Sequence, residues 1–599
     1  MLRKRKENMT GSQKNTVKGI APTIRRIWSY LADQRSLLIL VLLMVVASSA
    51  LGLLGPFLIG WGIDEYFATN STDGFIWLLI GLAAVYVMHS LSLWFQSYWM
   101  IGIAQKTVYT MRRQLFSHFH KLSIDFFNKR QHGELMSRVT NDIENVSATL
   151  NSSVIQIFSS VLTLVGTLAV MIWLSPLLTL VTMMIVPLMF MGMKWITSRT
   201  GKLYKEQQRR LGEMNGYIEE TISGQKIIKS FSQEAKVIEE FRMKNQQLKD
   251  SGYWAQTFTG FIPKLMNMLN NLSFTIVAGV GGFFALRGYV TIGTIVIFTE
   301  YSRQFTRPLN DLSNQFNTLL SAVAGADRVF DIIDTEEEAV DENGAEPLQN
   351  ILGKVEFKDV SFSYEKGGDT VSQLNFQAKP GQTIALVGPT GAGKSTIVNL
   401  ISRFYEPDQG EILIDGHDSK KITRESLRKQ MGFVLQDSFL FQGSIRENIR
   451  YGRLDATDEE VENAARAANA HSFIQRLPEG YDTELSQDDA GISQGQKQLL
   501  SIARAILADP AILILDEATS SIDTITELKI QEALQYLLKG RTSFIIAHRL
   551  NTIKNADQII VIESGQIIEK GSHESLLEQK GFYHDLYTSQ LEKKMLMNS

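Results

Sequence analysis

The sequence contains no cysteine among its 599 residues. This absence excludes a disulfide framework, a thiol nucleophile and the cysteine-based zinc and iron–sulfur sites. An excess of charge of one sign is lacking as well, since 60 basic and 63 acidic residues leave a formal net charge of -3. Nucleic acid is therefore not indicated as a partner. Any chemistry must come from carboxylates, histidine, lysine, backbone amides and an added metal ion.

A cleaved secretory signal is also not recognisable. Residues 1–35 are basic, with Glu7 and Asp33 as their only acids. The apolar run that follows is too long for a signal peptide and lacks a small-residue cleavage site. We therefore expect residues 1–35 to form a cytoplasmic lead-in to a first membrane helix that is retained.

Long apolar stretches dominate the first half of the chain. A helix needs roughly 20 mostly apolar residues to cross the hydrocarbon core of a bilayer. Six stretches are candidates: Ser36–Gly60, Phe75–Tyr98, Val154–Leu174, Leu177–Ile196, Phe261–Leu286 and Ile292–Phe305. The sixth is the weakest, because Glu300 and Arg303 interrupt it. This pattern predicts an α-helical membrane domain of six transmembrane helices over residues 36–327.

Two long polar connections separate the second span from the third and the fourth from the fifth. Both have helical patterning, so we expect helices that continue well past the bilayer as extensions. The first connection is rich in Lys and Arg, whereas the short loop after the first span is acidic. Because positive residues favour the cytoplasmic side, both termini and both long connections are predicted to be cytoplasmic.

Polar residues inside the spans are candidates for the path of a transported molecule, because they usually face a bundle interior or a water-filled cavity. The candidates are His89, Asn267, Asn270, Asn271 and Glu300. For the three asparagines the favoured role is a structural one, as hydrogen-bonding contacts between helices. Glu300 is the stronger pathway candidate, since an acidic group is costly to bury at membrane depth.

Two arginines follow Glu300 towards the end of the sixth span. Arg303 and Arg307 are expected to be interfacial anchors, which is the commoner role of basic residues at the end of a membrane span.

A second domain follows the spans. The composition becomes that of a soluble protein after Asp327. Residues 328–354 include the acidic run Asp334–Asp341, which we expect to be a solvated linker. We expect the second domain to begin near Val355 and to comprise residues 355–599.

The decisive motif of this domain is GPTGAGKST. It follows the β-prone run Thr383–Val387 and precedes the helix-like run Ile397–Phe404, which is the context that a P-loop requires. In such a loop the backbone amides surround the phosphates, the lysine reaches the β- and γ-phosphates and the serine ligates Mg²⁺. The predicted nucleotide-binding residues are Gly388, Pro389, Thr390, Gly391, Ala392, Gly393, Lys394, Ser395 and Thr396.

A second motif, ILILDE at Ile512–Glu517, follows about 120 residues later. Four consecutive apolar residues predict a strand buried on both faces, and the strand ends in two acids. We expect Asp516 to hold the Mg²⁺ shell and Glu517 to polarise the attacking water as general base. Together the two motifs indicate a nucleotide hydrolase that uses ATP and Mg²⁺.

From Tyr364 to His548 the sequence resembles the α/β ATPase domain of ATP-binding cassette (ABC) transporters. The resemblance implies four further roles. By it, Tyr364 stacks on adenine, and Gln436 contacts Mg²⁺ and the water. Asp523 lies in the loop that links two ATP sites, and His548 contacts the γ-phosphate.

One motif departs from the family pattern. Where the family has Leu-Ser-Gly-Gly-Gln, this chain has ISQGQ at Ile492–Gln496. In the family two domains pair head to tail, and the helix N-terminus at each signature binds the γ-phosphate of ATP on the partner. Gln494 replaces a glycine, so we expect its side chain to restrict the backbone conformations that are available at this position. The residues implied for the partner's ATP are Ser493, Gln494, Gly495 and Gln496.

An altered signature beside intact Walker residues resembles one subunit of heterodimeric bacterial multidrug exporters. That resemblance implies a second half-transporter subunit as partner, one consensus ATP site and one degenerate site. A homodimer is the alternative, because a single altered glycine can be tolerated.

The membrane half resembles the same class, with six helices fused before one ATPase domain. Ser123–Asn128 resembles a coupling helix that docks on an ATPase domain, and Glu219–Phe231 resembles a counterpart that reaches the partner's ATPase domain.

The resemblance implies ATP-driven export of small amphiphilic compounds (drugs, dyes or lipids) across a bacterial inner membrane. A homodimeric lipid or peptide exporter and an ATP-gated channel or regulator are alternatives that share these motifs. A soluble ABC ATPase is a further class, and the six predicted spans argue against it.

Overall fold

A computed structural model describes residues 20–67, 73–342, 344–348, 351–365, 368, 370–436, 438–485, 491–516, 522–547 and 553–589. The chain forms two compact units. The first contains the chain up to His120 together with Gln131–Thr335. The second contains Lys121–Arg130 together with the chain from Glu336 onward.

The first unit is helical throughout its described residues. Its helices are α1 (Ile20–Ala32), α2 (Arg35–Gly62), α3 (Phe75–Phe119), α5 (His132–Ser137), α6 (Ile143–Leu174), α7 (Pro176–Met183), α8 (Ile185–Ser223), α9 (Gln225–Ser230), α10 (Glu234–Leu286) and α11 (Ile292–Ile333). The remaining helix of this numbering, α4 (Ile124–Asn128), lies in the second unit. Short π-helical segments follow α2 and precede α6.

Five helical segments of the described chain are long and apolar enough to cross a membrane. They contain the first five predicted spans and are Arg35–Phe67, Phe75–Phe119, His132–Leu174, Pro176–Ser223 and Glu234–Leu286. The sixth predicted span lies in α11 and is not among them, so the number of six stays a prediction. The charged pair Glu300 and Arg303 supplies the physical reason, because it lowers the hydropathy of that stretch.

The helices extend beyond the bilayer as the sequence predicts. Helix α3 has 45 residues, which corresponds to about 68 Å at 1.5 Å per residue. This length is about twice the hydrocarbon thickness of roughly 30 Å. Helices α6 and α7 are joined by a single residue, Ser175, which caps α7 by accepting a hydrogen bond from the amide of Leu178.

Helices α2 and α11 cross at two glycines near the C-terminal end of the first span. A Cβ atom on Gly60 would lie 2.6 Å from the carbonyl oxygen of Gly293, so only glycine permits this approach. The Asp64 carboxylate accepts a hydrogen bond of 2.7 Å from the amide of Gly293. Further along, the Tyr301 hydroxyl donates to the carbonyl of Leu53 over 2.7 Å. These contacts join the first helix of the bundle to the last.

The described residues of the second unit form three sheets. Its strands are β1 (Val355–Phe362), β2 (Val371–Ala378), β3 (Thr383–Val387), β4 (Gln409–Ile414), β5 (His417–Asp418), β6 (Met431–Val434), β7 (Gly443–Ser444), β8 (Glu484–Leu485), β9 (Ile512–Asp516), β10 (Thr542–Ile546), β11 (Gln558–Glu563) and β12 (Gln566–Gly571). The largest sheet has the order β12-β11-β3-β10-β9-β6, and its strands from β11 to β6 are parallel. The other sheets are β2-β1-β4-β5 and β7-β8.

Helices cover both faces of the parallel sheet, as buried parallel strands require. They are α12 (Lys394–Ile401), α13 (Arg424–Lys429), α14 (Ile445–Arg450), α15 (Asp458–Ala467), α16 (His471–Ile474), α17 (Gln494–Ala508), α18 (Thr524–Leu538) and α19 (His573–Gln579). The apolar residues of β9 are buried, which confirms the strand predicted from ILIL. Two hydrophobic cores form, one on each side of the sheet.

The acidic run Asp334–Asp341 is solvated only in part, because Glu338 and Asp341 contact the second domain. Arg428 donates to Glu338 over 2.6 Å, and Arg424 donates to Asp341 over 3.0 Å. The side chain of Arg424 is only 9% exposed, and a buried guanidinium requires a carboxylate partner. The linker acids therefore pack against the second domain. Their partners lie far along the chain, which is why the run itself gives no sign of them.

The predicted coupling helix belongs to the same unit as the second domain. Helix α4 contains Phe126 as a buried residue, and its last residue, Asn128, donates a hydrogen bond of 3.2 Å to the hydroxyl of Tyr405. Just before the helix, the carbonyl of Lys121 accepts from the amide of Glu338 over 2.7 Å. The expectation that Ser123–Asn128 docks on an ATPase domain is thus confirmed.

Candidate functional site

The predicted chemical residues follow neighbouring strands of the large sheet. The P-loop follows β3, Asp516 ends β9, and Gln436 comes two residues after β6. Because β3, β10, β9 and β6 are adjacent and parallel, their carboxyl ends lie along one edge, where ligands bind in open α/β sheets. Two predicted residues, Glu517 and His548, lie outside the described residues.

The loop between β3 and α12 depends on glycine at two positions. Gly391 has φ +84° and Gly393 has φ +105°, which is the left-handed region that glycine adopts without steric cost. A Cβ atom on Gly393 would also lie 2.6 Å from Cγ1 of Val371. The loop therefore turns sharply and delivers the chain to the N-terminus of α12 at Lys394.

The amine of Lys394 folds back over this loop. Its Nζ donates to the carbonyl oxygens of Gly388 over 2.9 Å and Pro389 over 2.8 Å. Burial lowers the pKa of Lys394, and the nearby charge of Asp516 opposes that change. The charge of Asp516 at the end of β9 therefore acts on the P-loop lysine.

The oxygen ligands expected for Mg²⁺ lie at this edge. Ser395 is exposed at the start of α12, whereas Thr396 is buried. Asp516 is partly exposed at the end of β9. A hydroxyl and a carboxylate are the hard oxygen donors that Mg²⁺ prefers, so the donor set fits this ion.

Tyr364 follows β1 and contacts the P-loop helix. Its hydroxyl accepts a hydrogen bond of 3.1 Å from Asn399 on α12. Its ring meets Phe362 and Tyr405 edge to face, with centroids 5.0 and 4.9 Å apart. These contacts fix the ring beside the loop that the sequence assigns to the nucleotide.

The altered signature forms the start of α17. Ser493 accepts from the amide of Gln496 over 3.3 Å, and the Gln496 side chain accepts from the amide of Ser493 over 2.9 Å. This is a capping box. Gly495 packs against α18, since a Cβ atom there would lie 2.5 Å from Cγ2 of Thr526.

The backbone restriction expected from Gln494 has no effect in this fold. Gln494 is the first residue of an ordinary α-helix and is exposed, so its backbone needs no conformation that glycine alone can adopt. The replacement therefore causes no backbone strain in this fold. Any effect must come from the glutamine side chain at the helix N-terminus.

Asp523 caps the next helix of the domain. Its carboxylate accepts a hydrogen bond of 2.9 Å from the amide of Thr526 at the start of α18. That backbone hydrogen bond lowers the pKa of Asp523 below its usual value. The residue predicted to link two ATP sites thus also orders the N-terminus of α18.

Family models match both units. The model of the ABC transporter transmembrane region matches residues 38–309, and the model described as ABC transporter matches residues 371–520. An uncharacterized ABC transporter ATP-binding protein of Bacillus subtilis (strain 168), YfiC, is 66% identical over 573 residues, covering 95% of this chain and 94% of the relative.

The chain belongs to the ABC transporter family.

Two further relatives carry names that state a cargo. The fatty acid ABC transporter ATP-binding/permease protein of Mycobacterium bovis (strain ATCC BAA-935 / AF2122/97) is 40% identical, covering 94% of this chain and 95% of the relative. The ATP-dependent lipid A-core flippase of Syntrophus aciditrophicus (strain SB) is 36% identical, covering 90% and 89%. With its membrane and ATPase domains fused, this ABC chain is a half-transporter of the exporter type and an ATP-driven transport ATPase.

The polar candidates in the ABC membrane domain fall into two groups. His89 contacts the neighbouring helix, since its Nδ1 lies 2.9 Å from the carbonyl oxygen of Ser48 on α2. It therefore joins α2 to α3 as a structural contact. Glu300 is partly exposed, and its carboxylate lies 3.7 Å from the guanidinium of Arg303 one turn later.

The asparagines lie on α10. Asn267 and Asn271 are exposed, whereas Asn270 is partly buried and makes a polar or ring contact of its own. The asparagines therefore lie on a different helix from His89, which bonds between α2 and α3.

The sequence did not reveal a polar seam between α6 and α11. Gln156 donates to the carboxylate of Asp311 over 2.9 Å, and Ser153 donates to the side-chain oxygen of Gln315 over 2.5 Å. Asp311 and Gln315 lie beyond the predicted sixth span, so hydropathy gave no reason to inspect them. A helical projection of α11 past Phe305 could have found them.

Proposed function

We propose that this chain exports amphiphilic compounds at the expense of ATP hydrolysis, as one subunit of a heterodimer with one consensus and one degenerate ATP site. The observation that carries the proposal is the difference between the two nucleotide elements of the chain. The P-loop and Asp516 conform to the family pattern, whereas the signature contains Gln494 in place of glycine.

The roles in this proposal combine the positions of the described residues at the sheet edge with the resemblance to the family, on which the roles of Glu517 and His548 rest entirely. Lys394 and the P-loop amides bind the phosphates, and Ser395, Gln436 and Asp516 surround Mg²⁺. Glu517 activates the water, and His548 contacts the γ-phosphate. The electrostatic interaction of Lys394 with Asp516 supports a shared site for these groups.

A partner subunit would complete two incomplete surfaces. At the end of α8 and around α9, Ile222 is 69% exposed, Ile227 61% and Phe231 69%. Exposed apolar residues at the tip of a polar extension indicate a protein contact. This supports the proposal that Glu219–Phe231 docks on the ATPase domain of the partner.

The second incomplete surface is the start of α17. Ser493 and the free amides of a helix N-terminus attract anions, and the exposed Gln494 stands beside them. We propose that this end caps ATP bound to the partner's P-loop, and that the glutamine makes that site slow or inactive.

Cargo and location are part of the same proposal. The relatives named for fatty acid and lipid A-core transport favour amphiphilic substrates. We propose a multi-pass protein of a bacterial inner membrane with both termini cytoplasmic, since the basic first connection favours that orientation.

The test is ATP hydrolysis by the chain in lipid, first alone and then after co-expression with a candidate second half-transporter. Activity that requires the second subunit, and that disappears when the Glu517 of this chain is replaced by Gln, would support the heterodimer. Full activity of the chain alone as a dimer would show that ISQGQ is a competent signature and would contradict the heterodimer.

A further inference from the structure

The exposed side of α11 is polar even where the helix lies at membrane depth. Helix α11 starts beside the C-terminal end of the first span, because Asp64 binds the amide of Gly293. Glu300 and Arg303 follow 8 and 11 residues after Ile292, which places them about 12 and 17 Å along the helix at 1.5 Å per residue. That depth is near the middle of a hydrocarbon core of about 30 Å.

Six polar residues form one stripe on this side, here named the α11 stripe. At 3.6 residues per turn they lie within about 80° of the helix circumference. All six are exposed or partly exposed: Glu300, Arg303, Arg307, Asp311, Asn314 and Thr318. By contrast, Phe298 and Tyr301 on another side of the helix are fully buried.

Helix α3 shows what a lipid-facing helix of this chain looks like. Its large exposed side chains at membrane depth are mostly apolar, with Trp77 75% exposed, Ile80 52% and Val87 58%, and no charged side chain lies among Phe75–Tyr98. The side chain of Arg303 is 54% exposed, and a guanidinium in contact with hydrocarbon is costly. The α11 stripe therefore faces water or protein rather than lipid.

The stripe carries two cations side by side between two acids, and the Glu300 carboxylate lies 3.7 Å from the guanidinium of Arg303. Glu300 and Asp311 flank Arg303 and Arg307 from the N-terminal and C-terminal sides. Asp311 already accepts a hydrogen bond from Gln156. Arg303 and Arg307 are separated by four residues, a spacing at which like charges repel on a helix. An anion between the two guanidinium groups would remove that repulsion.

Apolar surface adjoins the same pair of cations. The guanidinium of Arg303 lies 5.6 Å from the ring centroid of Phe274 on α10, and Phe274 is itself 43% exposed. A molecule with an anionic head group and an apolar tail matches this combination, because arginine binds carboxylate and phosphate through paired hydrogen bonds.

We propose that Arg303 and Arg307 bind the anionic head group of the transported amphiphile, whose tail lies against Phe274. This inference rests on the proposed function as an exporter of amphiphiles and adds the class of head group. It replaces the expectation that the two arginines are interfacial anchors, since Arg303 lies well inside the membrane core.

The first test compares amphiphiles that share a dodecyl tail and differ in head group. The full-length transporter, in the subunit composition that hydrolyses ATP, is reconstituted in lipid nanodiscs. Its ATPase activity is titrated with dodecanoate, dodecyl phosphate, dodecyltrimethylammonium and dodecanol. We expect an anionic compound to act at a concentration about tenfold or more below the cation and the alcohol, because charge-assisted hydrogen bonds are lost without the anion.

The comparison of dodecanoate with dodecyl phosphate distinguishes the two sources of negative charge. A response that is equal for all four head groups, or strongest for the cation, would overturn the inference. Wild-type protein suffices for this decision, so it does not depend on the folding of any variant.

The second test uses the double substitution Arg303→Gln and Arg307→Gln. We expect the half-maximal concentration of the anionic compound to rise about tenfold or more, with dodecanol unaffected. Lysine at both positions keeps the charge and should give an intermediate value. Arg199→Gln, an exposed arginine on α8 away from the stripe, is the matched control and should respond like wild type.

The two proposals fail in different ways. A transporter that does not hydrolyse ATP in any subunit composition would contradict the proposed function. An active transporter that responds to amphiphiles without preferring anions, or whose preference survives the double substitution, would contradict only the assignment of Arg303 and Arg307.

Discussion

The P-loop and the altered signature differ in how closely the fold constrains their residues. Gly393 combines a φ of +105° with a space that a Cβ atom would overfill. Gln494 occupies an ordinary helical position and is exposed. Geometry therefore requires glycine at position 393, whereas position 494 accepts a side chain without backbone strain. Four substitutions, taken from the largest expected effect to the smallest, test this difference.

Glu517→Gln should nearly abolish turnover at the consensus site. The substitution removes the proposed general base and keeps the shape of the side chain, so ATP hydrolysis should fall about 100-fold or more while ATP still binds. Steady-state hydrolysis and nucleotide retention measure the two effects. Glu563→Gln, at an exposed carboxylate near the end of β11, is the control. Turnover within a few-fold of wild type would remove Glu517 from the catalytic role.

Gly393→Ala should damage the P-loop itself. A non-glycine residue at positive φ costs about 1–2 kcal/mol, and overfilling a packed site adds about 1–3 kcal/mol. We therefore expect a lower melting temperature of the ATPase domain and a loss of ATP affinity, both measurable by thermal shift with and without nucleotide. Unchanged ATP affinity would mean that the loop can rearrange.

Gly495→Ala should weaken packing between α17 and α18. The added methyl group meets Thr526, and overpacking of this kind costs about 1–3 kcal/mol of unfolding free energy. Gly491→Ala is a matched control, because nothing lies within 4 Å of a Cβ atom there. Denaturant unfolding of both variants decides the point, and equal stability would contradict a packing role for Gly495.

Gln494→Gly should change function more than stability. Glycine in a helix is less favourable by about 1 kcal/mol at most, so the melting temperature should shift by only a few degrees. We expect ATP occupancy of the degenerate site to rise several-fold, as measured by nucleotide trapping in the assembled transporter. Unaltered occupancy would show that residues other than Gln494 set the asymmetry.

Sequence motifs predicted the ATPase domain well because its chemistry is tied to short segments. The β3–loop–α12 unit and the buried strand β9 both lie where their patterns indicate. A P-loop needs glycine at specific backbone angles, and parallel strands bring their carboxyl ends to one edge. Both constraints are local or topological, so they can be read without coordinates.

Long-range partners could not be predicted in the same way. The acids Glu338 and Asp341 look solvated in sequence, yet arginines some 80–90 residues later hold them against the second domain. Likewise, Asp311 reveals its partner Gln156 only when α6 and α11 pack together. Such pairings depend on which distant elements pack together, and the local composition of a segment does not determine that packing.

By itself the sequence determined the fused membrane and ATPase organisation, the P-loop, and the departure at Gln494, because each depends on residue type at short spacing. Only the tertiary structure decided that Gln494 causes no strain, that the linker acids are paired, and that the exposed side of α11 is polar. These three depend on which atoms surround a side chain. That surrounding is fixed by contacts between elements far apart in the chain.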